Sequence, residues 1–87
     1  MYTLEVYSGD HCSYCQMAKN VLKSRGITFK EYNVTHDSSL ADEMRKRSSQ
    51  MSVPQIFLNH EHIGGFDDMM NAFRDGSFMK QLNVVTA

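Results

Sequence analysis

The chain has 87 residues and a formal net charge of −1, with 41% hydrophobic residues. That length suits one compact domain spanning 1–87, and the near-neutral charge excludes a strong nucleic-acid or membrane-surface field. No run approaches the roughly 20 apolar residues of a membrane span, and Met1-Tyr2-Thr3-Leu4-Glu5 has neither the basic region nor the apolar core of a signal peptide, so a soluble cytoplasmic location is the expectation.

In chain order, Thr3 to Ser8 alternates, with Leu4 and Val6 on one face, and reads as a strand. Gly9-Asp10-His11 interrupts it. Tyr14, Met17, Ala18, Val21 and Leu22 then recur at helical spacing, and the helix stops near Arg25-Gly26, a basic last turn followed by glycine. Phe29 to Val34 reads as a second strand. Strand, helix and strand in this length form a right-handed unit with parallel strands. Ser38 or Ser39 is the expected cap of a second helix running to about Ser48. Gln55 to Leu58 is a short apolar strand, Asn59-His60 a hairpin turn, and Glu61 to Ile63 the antiparallel return. After Gly64-Gly65, Phe66, Met69, Met70 and Phe73 mark a third helix, and Phe78, Met79 and Leu82 continue its apolar stripe beyond Gly76. The expected product is a four-stranded mixed sheet with three or more helices on its two faces.

The strongest chemical signal is Cys12-Ser13-Tyr14-Cys15, set where a strand turns into a helix. A cysteine attacks as the thiolate, not the thiol, and a helix N-terminus favours the thiolate through its unpaired N–H groups and positive dipole end. Cys12 is therefore the exposed attacker. Cys15, one turn deeper, is the resolver that attacks a mixed disulfide on Cys12. A disulfide scaffold is excluded because the loop is tiny. A structural zinc site needs four ligands, and the available partners are His11, His36, His60 and His62, the last two on the far hairpin. His11 reads first as an exposed loop residue; protonated, it would help hold a thiolate.

Two further signals follow. Pro54 is the only proline and opens a strand, where its missing N–H does least harm. A cis Val53-Pro54 bond would turn the Val53 backbone toward a ligand, although spacing alone does not choose it. Gly64-Gly65-Phe66-Asp67-Asp68 puts paired glycines before two carboxylates at a helix start. The carboxylates either cap the helix or take a ligand's ammonium group while backbone N–H groups hold its carboxylate.

Together, in this order, the three signals resemble the glutaredoxin family over nearly the whole chain, most closely its short bacterial-type members. Cys12-Ser13-Tyr14-Cys15 is similar to the family's Cys-Pro-Tyr-Cys site. Ser52-Val53-Pro54 is similar to its Thr-Val-Pro segment, with a cis proline, and Ile63-Gly64-Gly65-Phe66-Asp67-Asp68 to its glutathione-binding turn. The resemblance implies a thioredoxin-like α/β fold and glutathione as co-substrate. It implies as partners glutathionylated or disulfide-containing proteins, among them ribonucleotide reductase, and a monomer that needs no metal. It further implies that Tyr14 flanks glutathione and that Val53, beside Pro54, pairs with its cysteinyl backbone. Gly65, Phe66, Asp67 and Asp68 would receive the γ-glutamyl end.

Three positions depart from the family pattern. The lysine often found three residues before the first cysteine is Gly9, and a polar residue early in the second helix falls at Ala41. Arg45 or Arg47 is then the cation left for the glycyl carboxylate. Ser13 replaces proline, and relatives with Cys-Ser-Tyr-Cys include carriers in which two copies of Cys12's counterpart and two glutathiones ligate a [2Fe–2S] cluster. That carrier is the alternative to the enzyme.

Overall fold

The computed structural model describes residues 2–84. Four strands, β1 (Leu4–Ser8), β2 (Lys30–Asn33), β3 (Gln55–Leu58) and β4 (Glu61–Gly64), form one sheet in the order β2-β1-β3-β4. β1 and β2 are parallel; β1/β3 and β3/β4 are antiparallel. The helices are α1 (Ser13–Ser24), α2 (Ser38–Ser48), α3 (Phe66–Arg74) and α4 (Ser77–Val84). Every residue of β1 and β3 is buried, as central strands covered on both faces must be, whereas β2 and β4 form the edges.

Alternation along β1 divides the core. Leu4 and Val6 point to one face, with Ala18 and Leu22 of α1, Met69 of α3, and Phe78 and Leu82 of α4. Tyr7 points to the other, with Phe57 and Met44 of α2. α1 ends in a Schellman motif: Gly26, at φ 70°, donates to the Lys23 carbonyl, and Ile27 donates to that of Leu22. Ile27 is buried in the first core, so the chain leaves α1 already aimed at β2. Asn59 and His60, at φ 51° and 68°, supply the two left-handed residues of a tight hairpin turn.

Three local expectations need correction. The cap of α2 is Asp37, not Ser38 or Ser39; its Oδ1 accepts the N–H groups of Ser39 and Leu40, both at 3.1 Å. A carboxylate also answers the dipole, which a hydroxyl does not. The stripe from Phe66 to Leu82 belongs to two helices. Gly76 turns the chain at φ 85°, and the Ser77 N–H bonds Asp75 Oδ1 at 2.8 Å. Phe73 and Phe78 stack across the break with ring centroids 4.2 Å apart, so the stripe stays continuous while the backbone does not. β2 is also shorter than Phe29 to Val34, because Phe29 leaves the ladder to pack on the first core.

Candidate active site

Cys12 is the residue before α1, and Cys15 lies in its first turn. They are disulfide-bonded, with Cα atoms 5.2 Å apart. Cys12 Sγ caps the helix by accepting the Cys15 N–H at 3.1 Å. No acidic residue occupies that first turn, so nothing there opposes a negative sulfur. Cys15 is 1% exposed, whereas Cys12 is only partly buried. The inequality of exposure expected from the spacing is present.

The loop entering α1 is tied to the loop that follows β2. The Asp10 N–H donates to Thr35 Oγ1 at 2.8 Å. The Asp10 carboxylate accepts the Asn33 amide at 2.9 Å and meets His36 Nε2 at 2.6 Å. The Asn33 bond, and then His36, hold the Asp10 carboxyl below its usual range. His11 is exposed and sits in the left-handed region at φ 54°, a conformation histidine tolerates better than most residues. Beneath α1, the Lys19 ammonium pairs with Glu31 at 2.8 Å, and Ser8 Oγ donates to the same carboxylate at 2.6 Å. Both interactions keep the Glu31 carboxyl low, Lys19 more than Ser8.

The Val53–Pro54 peptide is cis, and the Val53 carbonyl oxygen lies 3.7 Å from Cys12 Sγ. From Val53 a groove of about 370 Å³ opens, lined in part by Tyr14, Pro54, Gly65, Phe66, Asp67 and Asp68. Tyr14, Val53, Pro54, Gly65, Phe66, Asp67 and Asp68, the residues expected to meet glutathione, therefore line one cavity, and Val53 connects it to the sulfur. Tyr14 is 56% exposed, with its ring 5.9 Å from that of Phe66.

The groove ends at the start of α3, where the two aspartates differ. Asp68 Oδ2 accepts the Gly65 N–H at 3.0 Å, so this carboxylate is a helix cap. Asp67 is exposed and makes no hydrogen bond or ion pair among the described residues. The glycines differ too. Gly64 has φ 122°, and a Cβ there would collide with the Asp68 side chain. At Gly65 a Cβ would meet only ordinary contacts, 3.6 Å from the Pro54 carbonyl. The position that demands glycine is Gly64.

The arginines expected to serve the groove do not line it. Arg47 stacks over Phe57 at 4.0 Å and donates to Glu5 at 3.0 Å and to the Tyr7 hydroxyl at 2.9 Å. It seals the α2 face instead. Tyr7 donates in turn to Glu43 at 2.5 Å; burial first, and then this carboxylate, push its hydroxyl up to about 12. Arg45 pairs with Asp42 of its own helix at 3.5 Å. Ala41 is absent from the lining as well.

The groove also contains Gln50, Ser52, Gln55 and His62, to none of which the sequence reading gave a role at this site. The hairpin carrying His62 is not distant, because β4 returns antiparallel to β3 and brings Gly64 opposite Ile56. The usable signal was the pairing itself, since a tight turn at Asn59-His60 returns the chain to Pro54. Among the described residues no group of three or more His, Cys, Asp or Glu side chains gathers as metal ligands. No helix among them is long and apolar enough to cross a membrane.

A family model described as glutaredoxin matches residues 4–63. Glutaredoxin 3 of Escherichia coli strain K12 is 42% identical over 69 residues, covering 79% of this chain and 83% of its own length. A glutaredoxin of Neisseria meningitidis serogroup B is 38% identical over 84 residues, covering 95% of this chain and 99% of its own. The crystal structure of a buckwheat glutaredoxin–glutathione complex superposes with a TM-score of 0.86 at 26% identity, covering 99% of this chain and 81% of that one. The neighbours carry the thioredoxin-like fold, and the mixed sheet with helices on both faces is that fold.

Proposed function

The chain belongs to the glutaredoxin family of thiol–disulfide oxidoreductases, and we propose that it is a glutathione-dependent member working in a reducing cytoplasm as a monomer, with Cys12 as nucleophile and Cys15 as resolving thiol. The observation that carries this is the continuity between the redox pair and the groove. The Val53 carbonyl stands 3.7 Å from the capping sulfur, and the same residue lines a cavity that ends at Asp67 and Asp68.

On this reading the Cys12 thiolate attacks the glutathionyl sulfur of a mixed disulfide. A Cys12–glutathione disulfide forms as the old bond breaks, and the protein thiolate leaves with the electron pair and takes up a proton. A second glutathione thiolate then attacks the glutathionyl sulfur on Cys12, releasing oxidised glutathione and restoring Cys12. With a protein disulfide, Cys12 becomes linked to the protein, Cys15 attacks the Cys12 sulfur, and two glutathiones later reduce the resulting Cys12–Cys15 bond. The redox pair stands in that last, oxidised state here.

Glutathione carries one ammonium and two carboxylates. The ammonium suits unpaired Asp67, and the γ-glutamyl carboxylate suits the backbone N–H groups of Phe66 and Asp67 in the first turn of α3. The cysteinyl unit would lie along Val53, flanked by the Tyr14 ring and seated on Pro54 and Gly65. Gln50, which lines the groove, replaces the arginines as the donor for the glycyl carboxylate. Disulfide-containing proteins such as ribonucleotide reductase are the macromolecular substrates this chemistry serves. The test is turnover of a glutathionylated peptide by the protein and by Cys15→Ser; a Cys15→Ser protein unable to deglutathionylate would overturn the role assignment. The carrier reading would give iron and acid-labile sulfide in stoichiometric amount after purification without oxygen.

A further inference from the structure

Three polar residues of the groove, Ser52, Gln55 and His62, form a connected chain leading toward Cys12. Gln55 is 4% exposed, and both ends of its amide are engaged. Its Nε2 donates to the Ser52 carbonyl at 3.0 Å and lies 3.4 Å from Ser52 Oγ. Its Oε1 lies 2.7 Å from His62 Nε2. Because the amide nitrogen is spent on a carbonyl, the end facing His62 is the oxygen, which accepts only. His62 must therefore carry hydrogen on Nε2 and donate it. The imidazole is held from below by the Phe57 ring, with centroids 4.9 Å apart. Phe57 is itself clamped by Arg47 from α2. At the other end, Ser52 immediately precedes Val53, whose carbonyl stands 3.7 Å from Cys12 Sγ.

We propose that His62 is a positioning residue for the glutathione groove: its Nε2–H orients the buried Gln55 amide, which holds the Ser52 carbonyl and so fixes the backbone that presents Val53 to the cysteinyl unit of the substrate. The proposal rests on the reading that glutathione occupies this groove. An amide held at one end only can rotate, and rotation would release Ser52. Val53 recognition uses backbone groups, whose direction is set by the peptides on either side. Pro54 is buried and anchors the following side, and the Gln55 side chain anchors the preceding one. His62 is exposed along the groove and meets neither sulfur, so its removal should weaken binding and spare the sulfur exchange itself.

The experiment is steady-state deglutathionylation of a glutathionylated peptide by the full chain. His62→Ala should raise KM roughly five- to tenfold, the effect of one net hydrogen bond, with kcat within about twofold. His62→Gln keeps a side-chain N–H and should recover most of the affinity, whereas His62→Leu should not. Gln55→Leu should raise KM similarly, and the His62→Ala, Gln55→Leu double variant no further, because both break the same connection. A normal KM in His62→Ala, alongside a raised KM in Asp67→Ala, overturns the positioning role and leaves the glutathione reading standing. Normal KM in both overturns the two together. Additive losses, or no rescue by His62→Gln, show that His62 acts otherwise and reject the connection through Gln55. Nitrogen chemical shifts of the His62 ring in the unsubstituted protein at alkaline pH test the geometry independently of any variant's folding. They should report hydrogen on Nε2, and hydrogen on Nδ1 alone overturns the proposal.

Discussion

The starts of α1 and α3 are both helix N-termini at the functional end of the fold, and they are furnished oppositely. α1 has no acidic residue in its first turn and uses a cysteine sulfur as its cap. α3 has two acidic residues there, and one of them caps. Each helix start offers unpaired N–H groups and a positive dipole end. At α1 that potential is left for a sulfur that must become anionic. At α3, Asp68 is held by the Gly65 N–H, while unpaired Asp67 adds a negative charge that a zwitterionic head group can use. On the proposed function, the same backbone device would serve nucleophile activation at α1 and ligand recognition at α3, according to which side chains share it.

The sharpest way to break this comparison is at the sulfurs. Cys12→Ser should abolish both deglutathionylation and protein-disulfide reduction, below detection against the uncatalysed rate. Cys15→Ser should keep the first and lose most of the second. Equal loss of both reactions in both variants would erase the distinction between cap and buried neighbour.

At α3 the comparison predicts a split between its two carboxylates. Asp67→Ala should raise KM for the glutathionylated substrate roughly tenfold, the scale of one charge-assisted hydrogen bond, with little change in Tm. Asp68→Ala should instead cost about 1 kcal/mol of stability through the lost cap, seen as a lower urea midpoint. If both substitutions affected only stability, α3 would be a capped helix and no more.

Much of this was legible in the sequence because it depends on local rules. Alternation in Thr3–Ser8, helical spacing from Tyr14 to Leu22, and glycine after Arg25 need no long-range knowledge, and the strands and α1 form where those signals lie. The joint motif around Cys12, Val53 and Asp67 was legible through its resemblance to a family rather than through local rules, and the fold gathers these segments around one groove. What escaped depends on partners distant in the chain. Arg47 looked like a free cation; only packing of α2 on β1 and β3 delivers it to Glu5, Tyr7 and Phe57. His62 looked remote because the return of β4 was not followed to its end. Asp37 was passed over because two serines stood nearer the apolar positions, although one carboxylate oxygen can serve two N–H groups at once.

Acid should act first at the carboxylates that hydrogen bonds hold in the folded state, ahead of α1 at Asp10, beneath it at Glu31, at the cap of α2 at Asp37 and between α3 and α4 at Asp75. These carboxyls are all held below their ordinary values of 3.8 or 4.5. A depressed value means that the folded state binds fewer protons than the unfolded chain. The stabilisation is therefore complete above about pH 5 and is lost as pH falls through the depressed values, below about pH 4. Urea midpoints should be flat from pH 7 to 5 and then fall. Glu31→Gln should flatten the fall, since its Lys19 and Ser8 partners then face a neutral group; an unchanged slope would assign the acid sensitivity to other carboxylates. Asp10, lying outside any core, should contribute chiefly by loosening the loop ahead of Cys12, visible as faster amide exchange at Gly9 to His11.

The smallest effect concerns Gly9, and it tests whether α1 lacks only a cation. A Cβ at this position would stand 3.1 Å from Thr35 Oγ1 and 3.3 Å from Val53 Cγ2, so residue 9 borders the side chain of the residue whose carbonyl approaches the sulfur. Gly9→Lys should therefore place an ammonium near Cys12, where it favours the thiolate and offers a partner to a glutathione carboxylate. The expected result is alkylation of Cys12 at lower pH and a KM for the glutathionylated substrate reduced about two- to threefold, most clearly at low ionic strength because the added charge is partly exposed. Crowding opposes the gain. Both contacts are tighter than ordinary packing, and Thr35 Oγ1 already accepts the Asp10 N–H, so the loop must shift slightly to admit any side chain. Gly9→Ala isolates that cost, because it adds the Cβ without the charge. The electrostatic contribution is then the difference between Gly9→Lys and Gly9→Ala, and it should shrink as salt is raised. If the two variants alkylate with the same pH profile and bind equally at every ionic strength, the charge does not reach the sulfur, and the N–H groups of α1 alone govern the Cys12 thiolate.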